Sequence, residues 1–178
     1  MAILVLTQNI SEFCCPSSEL LFTHNNILCS GCYLLKKEEY VKRYGNATEM
    51  ELFHATSPSN VSSITTNNLD WRRSVRTKFG EGVSFSPNAK YANLHCNRSN
   101  PTHRAMIIAK ILVHSTCSGS HYMKLPSGNT DTSTGNSGSV YVKYSDNEFY
   151  PTYVAYYDSP PIPRRQFRYC YDGSHILH

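Results

Sequence analysis

The chain has 178 residues, 40% of them apolar, so it is long enough to bury one sizeable core, and we expect one globular domain with tails. Its formal net charge of +4 arises from 17 basic and 13 acidic side chains, and so mild a charge does not favour nucleic-acid binding. The apolar run Ala2–Leu6 is too short for a membrane span or a signal peptide, which predicts a soluble intracellular protein.

Residues 1–33 contain four of the seven cysteines and show neither helical nor strand periodicity, which predicts a loosely ordered leader. An odd number of cysteines without an export signal favours free thiols in a reducing compartment. Cys29 and Cys32 have the spacing of a zinc-binding pair, and a zinc module that binds RNA or protein is one alternative. The other pair, Cys14 and Cys15, is adjacent and has poor geometry for the same ion, so we predict no metal site.

Helix and strand patterns alternate after the leader, which predicts one mixed domain over residues 34–158. Leu35–Gly45 combines strong helix formers with a glycine stop, and Met50–His54 is the first core strand. Ser57-Pro58 then marks the start of a second helix, since serine is a good cap and proline suits the first turn.

The second half of the domain is predicted to be mostly strand. The elements are, in chain order, a strand after Gly82, a capped helix from Ser86 to Tyr91, and strands at Ala105–His114, Val140–Tyr144 and Tyr150–Tyr157. Ser115–Gly138 is rich in Gly, Ser and Thr and is predicted to form surface loops. Pro151 favours an edge position for the last strand, and residues 159–178 form an extended Pro/Arg tail.

Two segments carry the chemistry that the sequence predicts. In Leu52–Thr56, His54 lies at a strand end, where a ring nitrogen can bind a ribose hydroxyl. In Phe79–Phe85, glycines precede a strand and let its backbone approach a flat base. Taken alone, such a histidine is more often structural and such a glycine pair is a common turn. Their order and spacing together indicate a split NAD-binding cleft.

The chain resembles the catalytic domain of the poly(ADP-ribose) polymerase superfamily, in the branch that transfers single ADP-ribose units. Six segments carry the resemblance in the same order: Leu52–Thr56, Asn68–Arg72, Phe79–Phe85, Ala89–Tyr91, Gly119–Met123 and Val140–Pro151. It covers about Leu34 to Tyr156 and is most similar to the TCDD-inducible poly(ADP-ribose) polymerase and its CCCH-zinc-finger relatives. The resemblance implies an α+β fold: a split, mostly antiparallel β-sheet ADP-ribosyltransferase fold with short flanking helices.

The resemblance also implies an enzyme that uses NAD+ as co-substrate and transfers single ADP-ribose units to protein acceptors. His54 matches the family histidine that orients NAD+. Val140 falls where polymer-forming members carry glutamate, and valine has no oxygen with which to activate an acceptor hydroxyl. Mono transfer is therefore expected, from a monomer with no membrane partner, in the nucleus and/or the cytoplasm.

Several positions depart from the family pattern. Ser84 replaces the tyrosine that stacks under nicotinamide, and such stacking contributes about 1–3 kcal/mol. Ala92 replaces a serine that binds the carboxamide, a hydrogen bond of about 0.5–1.5 kcal/mol. The alternative function is accordingly a catalytically degenerate domain that acts as a binding module or scaffold. The predicted catalytic positions are His54, Ser84 and Val140, and the predicted NAD+ contacts are His54, Ala55, Thr56, Arg72, Gly82, Ser84, Tyr91, Ala92 and His95.

Overall fold

Two four-stranded sheets carry the fold in the computed structural model, which describes residues 19–22, 26–75, 77–96 and 102–158. The strands are β1 Glu19–Phe22, β2 Thr48–Thr56, β3 Val83–Phe85, β4 His103–Val113, β5 Thr116–Ser118, β6 Thr132–Gly135, β7 Val140–Lys143 and β8 Phe149–Asp158. The helices are α1 Ile27–Tyr44, α2 Pro58–Asn67 and α3 Ala89–Leu94, with a 3-10 turn at Trp71–Arg73.

The larger sheet has the order β1-β8-β4-β2 and is antiparallel throughout. The smaller sheet has the order β3-β7-β6-β5 and is antiparallel except for the β5–β6 pair. This arrangement confirms the predicted α+β class with split, mostly antiparallel sheets. No helix within the described ranges is both long and apolar enough to cross a membrane.

Strand β4 forms the centre of the core because its nearly continuous apolar sequence is buried on both faces. Ile107 and Ile108 point to opposite faces and are both fully buried. Ile107 packs in a cluster with Phe85 and Phe149, whereas Ile108 packs with Phe53. The predicted strand at Ala105–His114 is therefore confirmed to within two residues. Strand β4 also pairs along the whole of β2 and so positions that strand.

Helix α1 begins at Ile27 and not near Leu34, so it includes Cys29 and Cys32, which the sequence placed in an unstructured leader. The residue that decides this is Asn26, whose side-chain oxygen accepts from Cys29 N at 3.1 Å. Its side-chain amide donates to the Thr66 carbonyl at 2.6 Å, at the end of α2. The cap thus depends on a tertiary contact that no local pattern predicts. The other two cysteines, Cys14 and Cys15, lie outside the described residues.

Four further elements differ from the sequence interpretation. Strand β1 lies within the leader, and β5 and β6 lie within Ser115–Gly138, predicted to be loop. These short strands lack an apolar alternation and exist because they pair with neighbouring strands. Helix α3 starts at Ala89 because Asn88, and not Ser86, provides the cap by accepting from Tyr91 N at 3.0 Å.

The predicted edge position of the last strand is wrong, because β8 lies between β1 and β4. Pro151 pairs with Ala109 of β4 beside a β-bulge in the β4–β8 ladder. A bulge interrupts the ladder locally and is a place where a strand accommodates the missing N–H of a proline.

Lys143 lies at the centre of a buried polar cluster behind the smaller sheet. It is fully buried, and its ammonium contacts Asp131 Oδ2 at 2.6 Å and Glu148 Oε2 at 3.1 Å. Tyr40 of α1 donates to Glu148 Oε1 at 2.9 Å. Burial raises the pKa of Asp131, but the charge and hydrogen bond of Lys143 more than offset this, so the pKa lies below its ordinary value. The cluster ties α1 to β7 and to the segments that lead into β6 and β8.

We predict that Lys143→Met lowers the free energy of unfolding by about 3–5 kcal/mol, since it leaves two buried carboxylates without their cation. The matched control is Lys110→Met, because Lys110 pairs with Glu49 at 3.1 Å on the surface and its loss is expected to cost about 1 kcal/mol or less. Urea denaturation of both variants measures the difference. Equal losses would contradict a central role for the buried cluster.

Candidate functional site

A cleft of about 960 Å³ opens where the two sheets meet. This volume lies at the upper end of the range of about 300–1,000 Å³ that is usual for ligand pockets. The lining comes from the end of β2, one side of α2, strand β3, the helix α3, the start of β7 and the loop that contains Arg72 and Lys78. The cleft is thus built from both sheets and from the helices that flank them.

A bridge between Phe53 and Ser86 joins the two sheets at the cleft. Phe53 N donates to Ser86 O at 2.8 Å, and Ser86 N donates to Phe53 O at 2.9 Å. Next to this bridge, His54 Nδ1 lies 2.9 Å from the Ser84 carbonyl oxygen. The predicted histidine and the predicted serine are therefore neighbours, although 30 positions separate them in the sequence.

The protonation state of His54 follows from its partner. A carbonyl oxygen accepts only, so the contact assigns the ring proton to Nδ1 and leaves Nε2 as an acceptor in the neutral ring. Burial lowers the pKa of His54, and the bond to the Ser84 carbonyl offsets this only in part. The ring is consequently neutral at pH 7, and Nε2 is suited to accept from a hydroxyl of a ribose.

Ala55 and Thr56 follow His54 along β2, and both line the cleft as predicted. The Thr56 hydroxyl oxygen accepts from the side chain of Asn60 at 3.0 Å, so its own proton is available for a further acceptor. Asn60 belongs to the first turn of α2, which explains how this helix is oriented relative to the strand.

The lining also includes Ser84, Tyr91, Ala92, His95 and Val140. The rings of Tyr91 and His95 have centroids 4.7 Å apart and are tilted by 47°. The Tyr91 hydroxyl accepts from the side chain of Asn136 at 2.6 Å, which fixes α3 to the turn between β6 and β7. Two aromatic rings therefore line the same cleft as Ser84.

Arg72 lines the cleft but is already paired with two carboxylates. It donates to Asp70 at 2.6 Å and to Asp146 at 2.8 Å. Arg73 and Lys78 also line the cleft. The predicted contact of Arg72 with NAD+ stays a prediction.

Of the predicted site residues, Gly82 has a different place from the others. It does not line the cleft: a side chain there would overlap the Lys143 carbonyl of β7, so the position requires glycine for packing. Its carbonyl accepts from the Ser74 hydroxyl at 2.7 Å. Gly82 thus supports the strand that carries Ser84, and its expected direct contact with the cofactor stays a prediction.

Sequence reasoning missed one side of the cleft, formed by α2 and the start of α1. The lining residues of α2 are Asn60, Ser63, Ile64 and Asn67, and those of α1 are Leu28, Cys29 and Cys32. The spacing of Asn60, Ser63 and Asn67 places three small polar side chains on one helix face, and this signal was present in the sequence. The contribution of α1 had no such signal, because it depends on where that helix packs.

Comparison with known proteins agrees with this geometry. The family model of the poly(ADP-ribose) polymerase catalytic domain matches residues 31–143. The human protein mono-ADP-ribosyltransferase PARP12 is 27% identical over 144 residues, which covers 74% of this chain and 20% of the relative. The mouse protein mono-ADP-ribosyltransferase PARP11 is 28% identical over 153 residues, which covers 67% of this chain and 46% of the relative. The chain spans less than half the length of these curated relatives, and it belongs to the poly(ADP-ribose) polymerase catalytic domain family.

Proposed function

We propose that this domain transfers single ADP-ribose units from NAD+ to side chains of acceptor proteins. In this reaction the bond between nicotinamide and the ribose C1″ breaks, nicotinamide leaves with the bonding electron pair, and a nucleophilic atom of the acceptor forms the new bond to C1″. A carboxylate acceptor has no proton to lose. The main contribution of the protein is to hold NAD+ oriented, since the transition state resembles an oxocarbenium ion and needs little side-chain chemistry.

The residues of the cleft support binding of NAD+. His54 offers an unprotonated Nε2 to a ribose hydroxyl, and the backbone of Ala55 with the hydroxyl of Thr56 offers polar contacts beside it. In the same cleft, the rings of Tyr91 and His95 offer apolar faces to the nicotinamide. The cleft therefore offers polar partners for a ribose and aromatic rings for a flat base, both of which a dinucleotide contains.

The observation that best supports single-unit transfer is that the carboxylates lining the cleft are already paired. Among the described lining residues the acidic side chains are Asp70 and Asp146, and both are bound to Arg72. At the third signature position Val140 is 7% exposed and has no oxygen. Within the described part of the lining, a hydroxyl of a previously added ADP-ribose would find no unpaired carboxylate to act as its general base, whereas an acidic acceptor already carries its nucleophile.

A second candidate function is a degenerate domain that binds partners without catalysis, and Ser84 and Ala92 favour it. The binding free energies lost with the stacking contact and the hydrogen bond sum to about 2–4 kcal/mol. This corresponds to a factor of roughly thirty to a thousand in NAD+ affinity. Tyr91 and His95 supply rings that offset part of this loss. Whether the cleft still transfers ADP-ribose is decided by experiment.

The first test is transfer of label from radiolabelled NAD+ to the protein itself and to a cell lysate. We expect discrete single-unit labelling, which falls about 10- to 100-fold in His54→Ala because NAD+ is no longer oriented. The control is His121→Ala, since this histidine lies on an exposed loop outside the cleft lining. No labelling, together with no rise in melting temperature on adding NAD+, would contradict catalysis and favour the degenerate alternative.

The double substitution Ser84→Tyr with Ala92→Ser is expected to raise NAD+ affinity about thirtyfold or more, because it restores a stacking ring and a hydroxyl donor. Isothermal titration calorimetry of the wild type, both single variants and the double variant separates the two contributions. An unchanged dissociation constant in the double variant would show that the nicotinamide does not lie between β3 and α3.

The affinity for NAD+ is expected to be constant above the ordinary histidine pKa of about 6.5 and to fall as the pH is lowered beyond it. The reason is that the pKa of His54 lies below its ordinary value, so the ring is neutral at pH 7, and its protonation at lower pH turns Nε2 from an acceptor into a donor. Dissociation constants measured from pH 8 to pH 5 check this. His95→Gln should keep the pH profile and His54→Gln should flatten it; affinity that rises toward low pH would contradict the assignment.

A further inference from the structure

The loop of residues 77–82, here named the Phe79 loop, lies between the cleft and the smaller sheet. On one side, Lys78 and Phe79 line the cleft. On the other side, the Phe79 carbonyl accepts from the Ser133 hydroxyl of β6 at 2.6 Å. The Tyr144 hydroxyl lies 2.6 Å from the Ser133 oxygen. A serine hydroxyl has one proton, so Ser133 donates to Phe79 and receives from Tyr144.

Two glycines make room for the Phe79 loop on the smaller sheet. At Gly135, in β6, a side chain would overlap the Phe79 ring. At Gly119, just after β5, a side chain would overlap the Phe79 carbonyl. The surface that receives the loop therefore fits both the ring and the backbone of one residue, Phe79.

The connection between β5 and β6 binds both ends of the same loop. Glu81 N donates to the Met123 carbonyl at 2.7 Å, and Tyr122 N donates to the Thr77 carbonyl at 3.2 Å. These two bonds lie on either side of Phe79, so the loop is held at its ends by backbone and at its centre by the Ser133 hydroxyl.

Ser133 is fully buried and is not among the residues that line the cleft. We propose that Ser133 is a positioning residue for NAD+: through the Phe79 carbonyl it holds the Phe79 loop in the position in which Lys78 and Phe79 complete the cleft. This inference rests on the proposed use of NAD+. Without the Ser133 hydroxyl, the donor that remains at the Phe79 carbonyl is the Tyr144 hydroxyl at 3.4 Å, so the loop is held mainly at its ends and NAD+ binds a less ordered site.

The test is Ser133→Ala, with Thr134→Ala as the matched control. Thr134 is the next residue of β6, and its hydroxyl also donates to a carbonyl, that of Cys117, at 3.3 Å. Each variant therefore loses one hydroxyl-to-carbonyl bond from the same strand, but only Ser133→Ala loses the bond to the Phe79 loop and, with it, the contact of Ser133 with the Tyr144 hydroxyl. Two readouts are taken: the rate of trypsin cleavage after Lys78, with the site identified by mass spectrometry, and the dissociation constant for NAD+ from calorimetry.

For Ser133→Ala we expect cleavage after Lys78 to accelerate about two- to tenfold and the dissociation constant to rise by a similar factor, as the loss of one hydrogen bond predicts. Thr134→Ala should change both by less than about twofold even if its melting temperature falls equally. Gly135→Ala serves as a second variant, because it displaces the Phe79 ring while Ser133 is intact, and it should reproduce both effects.

Wild-type cleavage and affinity in Ser133→Ala, or equal effects in Thr134→Ala, would overturn the proposal. If the wild-type domain binds no NAD+, the proposed function fails and the cofactor part of this inference fails with it. The cleavage comparison is independent of NAD+, so it still decides whether Ser133 holds the Phe79 loop.

Discussion

The contact between β2 and β3 is the constraint on which the site depends. It consists of two backbone hydrogen bonds between Phe53 and Ser86 and the bond from His54 Nδ1 to the Ser84 carbonyl. All three bonds are accepted by backbone atoms, so they do not require a particular side chain at position 84. Ser84 is therefore compatible with an intact junction of the sheets, because none of these bonds uses its side chain.

The ion pairs of the core are buried, whereas those of the cleft are exposed to solvent. The Lys143 cluster is buried, and its ion pairs cannot be opened without leaving a charge in a medium of low polarity. Arg72 is 56% exposed in its pairs with Asp70 and Asp146, and exposed pairs contribute about 0–1 kcal/mol each. The cleft thus combines a neutral His54 with an arginine whose ion pairs are weak.

The parts of the fold that the sequence predicted correctly are those with a strong local pattern. Strand β4 is a long apolar run, and α2 begins at a serine followed by proline. The parts that were missed, β5, β6 and the first two turns of α1, are short or polar and are stabilised by pairing and by the contact of Asn26 with α2. Local propensity cannot predict them because the energy that forms them comes from distant residues.

For the site, the sequence by itself determined the chemistry at each position: a histidine at the end of β2, a serine and an alanine in place of an aromatic ring and a hydroxyl, and Val140 in place of a carboxylate. Only the tertiary structure decided which ring nitrogen of His54 carries the proton, that Gly82 packs against β7 instead of lining the cleft, and that α1 and α2 form one side of it. The physical reason is that residue type fixes which bonds a group can make, whereas its actual partners are set by packing between segments far apart in the chain.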